Sequence, residues 1–241
     1  MTMNEAIAAV LAQHPLTANP YLRALRDGTL SKDDFLETQI QFYYAVVFFS
    51  RPMAVLAAKI PSASTRTEIL RNVWEEHGEG SAERRHGATF LELLHRLSGL
   101  QLADVERRAL WPELRAFNTT LIGCCALDDW EIGAGCLGII ERMFVDISAW
   151  ICLSIVERGW LPKERVVHYS THEKLDIRHS DDFFATLAPV WQEGDARSYL
   201  IQQGLQLGAS AFDRFYRDLF VARARRVDAP ARRMQRRVYD E

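Results

Sequence analysis

The stretch 36–47, LETQIQFYYAVV, places Leu36, Ile40, Tyr43, Tyr44 and Val47 at i, i+4, i+7, i+8 and i+11. A helix turns about 100° per residue, so these five side chains form one apolar stripe. The same period recurs outward in both directions, and strict strand-like alternation is hard to find anywhere. Start signals agree with it. Ser31 precedes Lys32-Asp33-Asp34, Asp128-Asp129 precedes Trp130-Glu131, and Pro162 opens the stretch toward Val166. Gly28, Pro61-Ser62, Gly99, Gly159 and Pro189 act as breakers. The pattern predicts an all-α chain of about eight helices. Short ones fall near residues 3–13 and 20–27. Longer ones follow near 32–60, 64–77, 82–98, 103–121, 128–158 and 163–187, and a last one over 191–226 carries a break near Gly194.

No internal repeat and no linker rich in Gly, Ser or Pro interrupts the chain. A single domain over 1–221 is the economical reading, with a basic end over 222–241. That end holds Arg223, Arg225, Arg226, Arg232, Arg233, Arg236 and Arg237. A solvated helix end and tail is favoured for it over a site for an acidic partner.

The 241 residues are 48% apolar and 25% charged, the balance of a soluble globular protein. A net charge of -3 gives no reason to expect nucleic acid or an anionic membrane as partner. No apolar run reaches the ~20 residues of a membrane span, the longest being broken by Arg51 and by Glu141-Arg142. Met1-Thr2-Met3-Asn4-Glu5 lacks a basic-then-apolar leader, so a cytoplasmic location is expected. Cys124, Cys125, Cys136 and Cys152 lie in apolar helical surroundings and read as small buried hydrophobes, not as disulfides or zinc ligands.

Polar residues on otherwise apolar helices point to chemistry. Relative to His172, Asp176 lies at about +40° and His179 at about -20°, so all three share one arc of about 60°. Two imidazoles and a carboxylate aimed the same way suit Fe, Mn or Zn. The bland alternative is a solvated polar face. His168, at about -40°, is a decoy or a supporting residue.

A second group is Asn72-Val73-Trp74-Glu75-Glu76-His77-Gly78-Glu79-Gly80, followed by His86. On a straight helix Glu79 and His86 are about 20° from alignment, and Glu76 and His86 about 80°. Gly78 and Gly80 let the helix break, which leaves both pairings open. The third is Glu141, between isoleucines and Met143-Phe144. A carboxylate there is costly unless paired or bound to metal. A structural salt bridge is the alternative, and Asp146 lies about 140° away. Carboxylates and a few histidines converging inside a helical bundle are what a dinuclear iron or manganese site requires.

With those residues in hand, the sequence resembles the heme-oxygenase-like diiron oxidases and oxygenases over roughly 14–220. His14-Pro15-Leu16 through Gly28-Thr29-Leu30, then Phe35 to Tyr44, is similar to the opening of the wider fold group. That group includes metal-free proteins of the thiaminase II and pyrroloquinoline-quinone-synthase type. The resemblance implies a single-domain heme-oxygenase-like helical bundle with Glu76, His86, Glu141, His172, Asp176 and His179 as metal ligands. Glu75-Glu76-His77-Gly78 matches the family's acidic-Glu-x-Gly pattern and selects Glu76 over Glu79. Members that hydroxylate nitrogen carry an extra carboxylate where this chain reads Phe49-Ser50-Arg51. Members that build para-aminobenzoate from their own side chains carry a lysine where it reads Trp150-Ile151-Cys152.

The expectation is therefore a non-heme diiron oxidase or oxygenase using two Fe2+ and O2. Its substrate would be a small, amino-acid-derived biosynthetic metabolite, oxidised by C–C cleavage or at a heteroatom. Tyr43, Tyr44, Trp74 and Tyr169 are candidate pocket residues, with ordinary core packing favoured. A homodimer is the expected assembly. The rival readings are a metal-free hydrolase or cofactor-maturation enzyme of the same fold, and a helical interaction module acting through its basic end.

Overall fold

The computed structural model describes residues 1–230, and for 170–175 and residue 195 the backbone alone. Among the described residues ten α-helices follow one another: α1 (Met3–Gln13), α2 (Pro20–Asp27), α3 (Lys32–Lys59), α4 (Ala63–Glu76), α5 (His86–Ser98), α6 (Leu102–Glu106), α7 (Pro112–Leu127), α8 (Trp130–Glu157), α9 (Val167–Trp191) and α10 (Asp195–Ala222). The count exceeds the expected eight or so. One cause is that the stretch read as 103–121 is two helices, because Pro112 opens a fresh one at its first position. The break expected near Gly194 separates α9 from α10, with Gly194 at φ 123°.

Local chemistry sets the helix starts. Thr2 and Glu5 form a reciprocal capping box, Asn19 caps α2 ahead of Pro20, Ser31 caps α3 and Ser62 caps α4. Each cap satisfies a backbone N–H that the helix itself leaves unpaired.

Helix α8 is apolar nearly all round, and such a helix belongs in the interior. It packs most extensively against α9 and α10. The approach is close enough that a Cβ on Gly204 would sit 2.3 Å from the carbonyl oxygen of Ile132. Around α8 the buried side chains form one continuous hydrophobic core. Helix α3 crosses beside it and brings polar residues inward. Tyr169 donates to Gln39, Gln39 donates to Tyr21 at 2.9 Å, and the Tyr21 and Thr38 hydroxyls are 2.8 Å apart. This chain of bonds ties α9 to α3 and α2.

Helix α3 is also, among the described residues, the one helix long and apolar enough to cross a membrane. Arg51 interrupts its apolar run, as the sequence shows, but the mean hydropathy of the stretch stays high around it. Of that window 67% is buried inside the protein, the pattern of a core helix. The first part of the basic end folds back on the body. Arg225 forms a two-pronged bond to Glu113 at 2.8 and 3.1 Å, and Arg226 pairs with Asp34 at 2.6 Å. Arg232, Arg233, Arg236 and Arg237 lie outside the described residues.

Candidate metal centre

Helix α4 ends at Glu76, and α5 begins at His86. Between them Gly78, Glu79 and Gly80 all adopt left-handed backbone, at φ 71°, 52° and 86°. A Cβ on Gly78 would meet the Arg85 backbone nitrogen at 2.6 Å, so the chain can fold back this tightly only on a glycine. The reversal brings His86 Nδ1 to 2.7 Å from Glu76 Oε2. A straight-helix phase angle across 76–86 therefore has no meaning, since there is no straight helix there. Glu79 turns outward, its side chain half exposed and paired with Arg84 at 3.1 Å. Asp146 likewise faces outward and meets Arg142 at 3.4 Å.

Helices α8 and α9 complete the group. Glu141 sits midway along α8, and Asp176 and His179 lie one turn apart on α9; all three are buried. His179 Nδ1 lies 3.7 Å from Glu76 Oε1 and 3.7 Å from Glu141 Oε1. Glu76, Glu141 and His179 each offer a ligand atom, all within 4.8 Å of one another. The imidazoles of His86 and His179 are nearly parallel, 6.5 Å apart between centres. The side chain of His172, also placed in the set by the sequence, lies outside the described residues. His168 is fully buried, with Nδ1 3.0 Å from the Thr89 hydroxyl and its ring edge-on to Phe90 at 4.7 Å.

The electrostatics of this group are those of carboxylates crowded away from water. Burial, and then the charge of Asp176, push Glu141 up to about 7, against the pull of His179. Burial raises Asp176 well above the usual carboxylate range; nearby His179 and His86 oppose this and Glu76 adds to it. For His179 burial disfavours the charged ring, but Glu141, Glu76 and Glu75 outweigh it and raise the imidazole to about 10. His86 is raised in the same way by Glu76 and Asp176 against its own burial. Glu141 Oε1 and His179 Nδ1 have no hydrogen-bond partner among the described residues. At 3.7 Å the two are paired by charge but too far apart to hydrogen-bond, a separation that a cation bound to both atoms would span. Hard carboxylates with imidazoles suit a divalent iron or manganese ion, so the residues present fit such a group.

One participant was not foreseen. Glu75 Oε2 accepts a hydrogen bond from His179 Nε2 at 2.8 Å and also pairs with Arg178. This is the carboxylate–histidine arrangement that fixes which ring nitrogen faces a metal. The sequence carries no signal for it, because neighbouring Glu75 and Glu76 point about 100° apart on a helix. They serve one site because α9 crosses the end of α4.

The cavity was also missed. It encloses about 450 Å³, solvent at its mouth included, with Glu76, His86 and Glu141 in its wall. Helix α3 supplies Phe42, Ala45, Val46 and Phe49; Phe117, Ile140, Phe144 and Phe212 come from α7, α8 and α10. Tyr43, Tyr44, Trp74 and Tyr169 are not among its lining residues. Tyr44 and Tyr169 are buried in the core, and Trp74 is largely exposed.

Comparison with known proteins adds to this geometry. The profile of a family described as iron-containing redox enzymes matches residues 36–213. The 4-aminobenzoate synthase of Nitrosomonas europaea is 23% identical over 197 residues, covering 77% of this chain and 78% of its own. A domain of unknown function with a heme-oxygenase-like fold from Shewanella denitrificans superposes with a TM-score of 0.73 at 15% identity, over 91% of this chain and 90% of its own. A TenA homologue from Pseudomonas syringae gives 0.70 at 15% identity, over 90% of each chain. At such identities the two structures speak to the fold.

Proposed function

The chain belongs to the iron-containing redox enzyme family, with a heme-oxygenase-like fold, and from that premise we propose that it is a non-heme diiron oxidase or oxygenase acting on a small metabolite. The observation that carries the proposal is the convergence of Glu76, Glu141 and His179 within 4.8 Å, with Glu141 Oε1 and His179 Nδ1 facing each other without a hydrogen bond. His86, Asp176 and His172 extend the set to the six ligands that two ions require. Two bound ferrous ions would supply the reducing electrons and open positions at which O2 is activated.

The protein's own part is positional. Glu75 holds the His179 ring with Nδ1 turned inward. The apolar wall excludes bulk water and orients the substrate beside Glu76 and Glu141. Ile151, at the position of the family's self-sacrificing lysine, is fully buried among hydrocarbon, which argues against para-aminobenzoate formation from side chains. Phe49 faces the cavity and Ser50 is buried, so this stretch offers no carboxylate of the kind N-hydroxylating members carry. A metal-free hydrolase of the TenA type shares the fold, but none of the four cysteines lines the cavity.

Anaerobic titration with Fe(II) followed by O2 tests the proposal. Two irons per chain and a transient visible absorption support it, and failure to bind more than one iron overturns it.

A further inference from the structure

We propose that the substrate has a hydrocarbon body and carries its polar group at one end only. The inference rests on reading the cavity as the place where substrate meets the metals, and it deepens that reading by naming the substrate class. Among the described residues, Glu76, His86 and Glu141 are the polar members of the cavity wall. The remainder is aliphatic or phenyl, and Phe42, Ala45, Val46 and Phe49 follow one another along a single face of α3. Positions 42 to 49 span seven residues, or about 10 Å of helix. Phe117 and Phe212, from α7 and α10, add to the aromatic wall.

A second charge on the body of a substrate, such as the side-chain ammonium of lysine, would lose its water along this wall and gain no partner. A methylene or phenyl body loses nothing and gains burial. The head of such a molecule is the part that can meet Glu76, His86 and Glu141. An amino acid with a hydrocarbon side chain satisfies this, as does a simple alkyl or aryl acid, whereas lysine, arginine and their polar relatives do not.

The test is calorimetric titration of the full-length protein, iron-free and with anaerobic Fe(II), using straight-chain carboxylates from butanoate to dodecanoate, and lysine. Affinity is expected to rise about fourfold per methylene, and to level off once the chain outgrows the roughly 10 Å of wall. Lysine, with six carbons, is expected to bind roughly a hundredfold more weakly than hexanoate. Val46→Asp should abolish the chain-length dependence while far-UV circular dichroism stays unchanged. Should that variant fail to fold, Ala45→Leu should move the plateau to a shorter chain. A flat series, or lysine binding as tightly as hexanoate, overturns the proposal. Iron stoichiometry on the same samples separates the two readings. Two irons with a flat series removes the substrate class alone; a steep series without iron removes the diiron assignment and keeps the hydrocarbon pocket.

Discussion

Replacing Glu75 by alanine removes one hydrogen bond and, with it, the orientation of His179, a proposed metal ligand. His179 Nε2 donates to Glu75 Oε2 at 2.8 Å, while Nδ1 faces Glu76 and Glu141 at 3.7 Å each. A ring nitrogen can bind a metal only when it carries no proton, so Nε2 must hold the proton and Nδ1 the lone pair. Glu75 enforces that tautomer and stops the ring from flipping. A hydrogen bond to a charged partner contributes about 1.5–3 kcal/mol, and loss of such a support costs about 10- to 100-fold in metal affinity. Glu75→Ala should therefore weaken Fe(II) binding by roughly that factor, with Glu75→Gln in between. Arg178 pairs with Glu75 but is half exposed, so Arg178→Ala should stay close to wild type. The assay is anaerobic Fe(II) titration against a competing chelator, with a urea melt to check the fold. If Glu75→Ala binds iron within about twofold of wild type, the positioning argument is wrong.

Three further outcomes are expected. Glu141→Ala and Asp176→Ala should each lose most of the bound iron by metal analysis, and wild-type loading in both would refute the ligand set. Glu141 and His179, raised to about 7 and about 10 in the metal-free chain, hold protons at pH 6 that iron must displace. Iron affinity should therefore climb from pH 6 to 8 with net proton release, measured by calorimetry in two buffers; no release would contradict it. The sign for the iron-free fold follows from the same shifts. Glu141 makes stability fall as pH rises from 4.5 to about 7, and the contribution of His179, full below 6.5, is lost as pH rises through about 10. Gly204→Ala places a Cβ 2.3 Å from the Ile132 carbonyl oxygen, so α8 and α10 must part. A loss of about 1–3 kcal/mol in urea unfolding is expected, and unchanged stability would show that the helices yield freely.

Residues 36–47 and their like announce helices because a 3.6-residue period survives in any helix with one buried face. Most helix ranges were legible for that reason. The short α6 and the fresh start at Pro112 were not, since five residues are too few to show a period. Of the site, Asp176 and His179 share one helix and could be read together. Glu76 and His86 meet through three left-handed residues, which helical phase does not describe. The partnership of Glu75 with His179 and the assembly of the cavity depend on which helices cross, information spread over the whole chain. Nothing in the sequence sets Phe117 and Phe212 apart from other core aromatics, yet both line the cavity.

The cavity wall has an evolutionary consequence. Glu76, His86, Glu141, Asp176 and His179 belong to α4, α5, α8 and α9, whereas six of the eight apolar wall residues belong to α3, α7 and α10. On the proposed function, a mutation at Ala45, Val46 or Phe212 would reshape what enters without touching the candidate ligands. Duplicated copies of such a gene would then drift in substrate choice with the candidate ligands unchanged. Among the described wall residues Ile140 and Phe144, on the helix of Glu141, join the two, and changes there should be the rarer and more consequential steps between relatives.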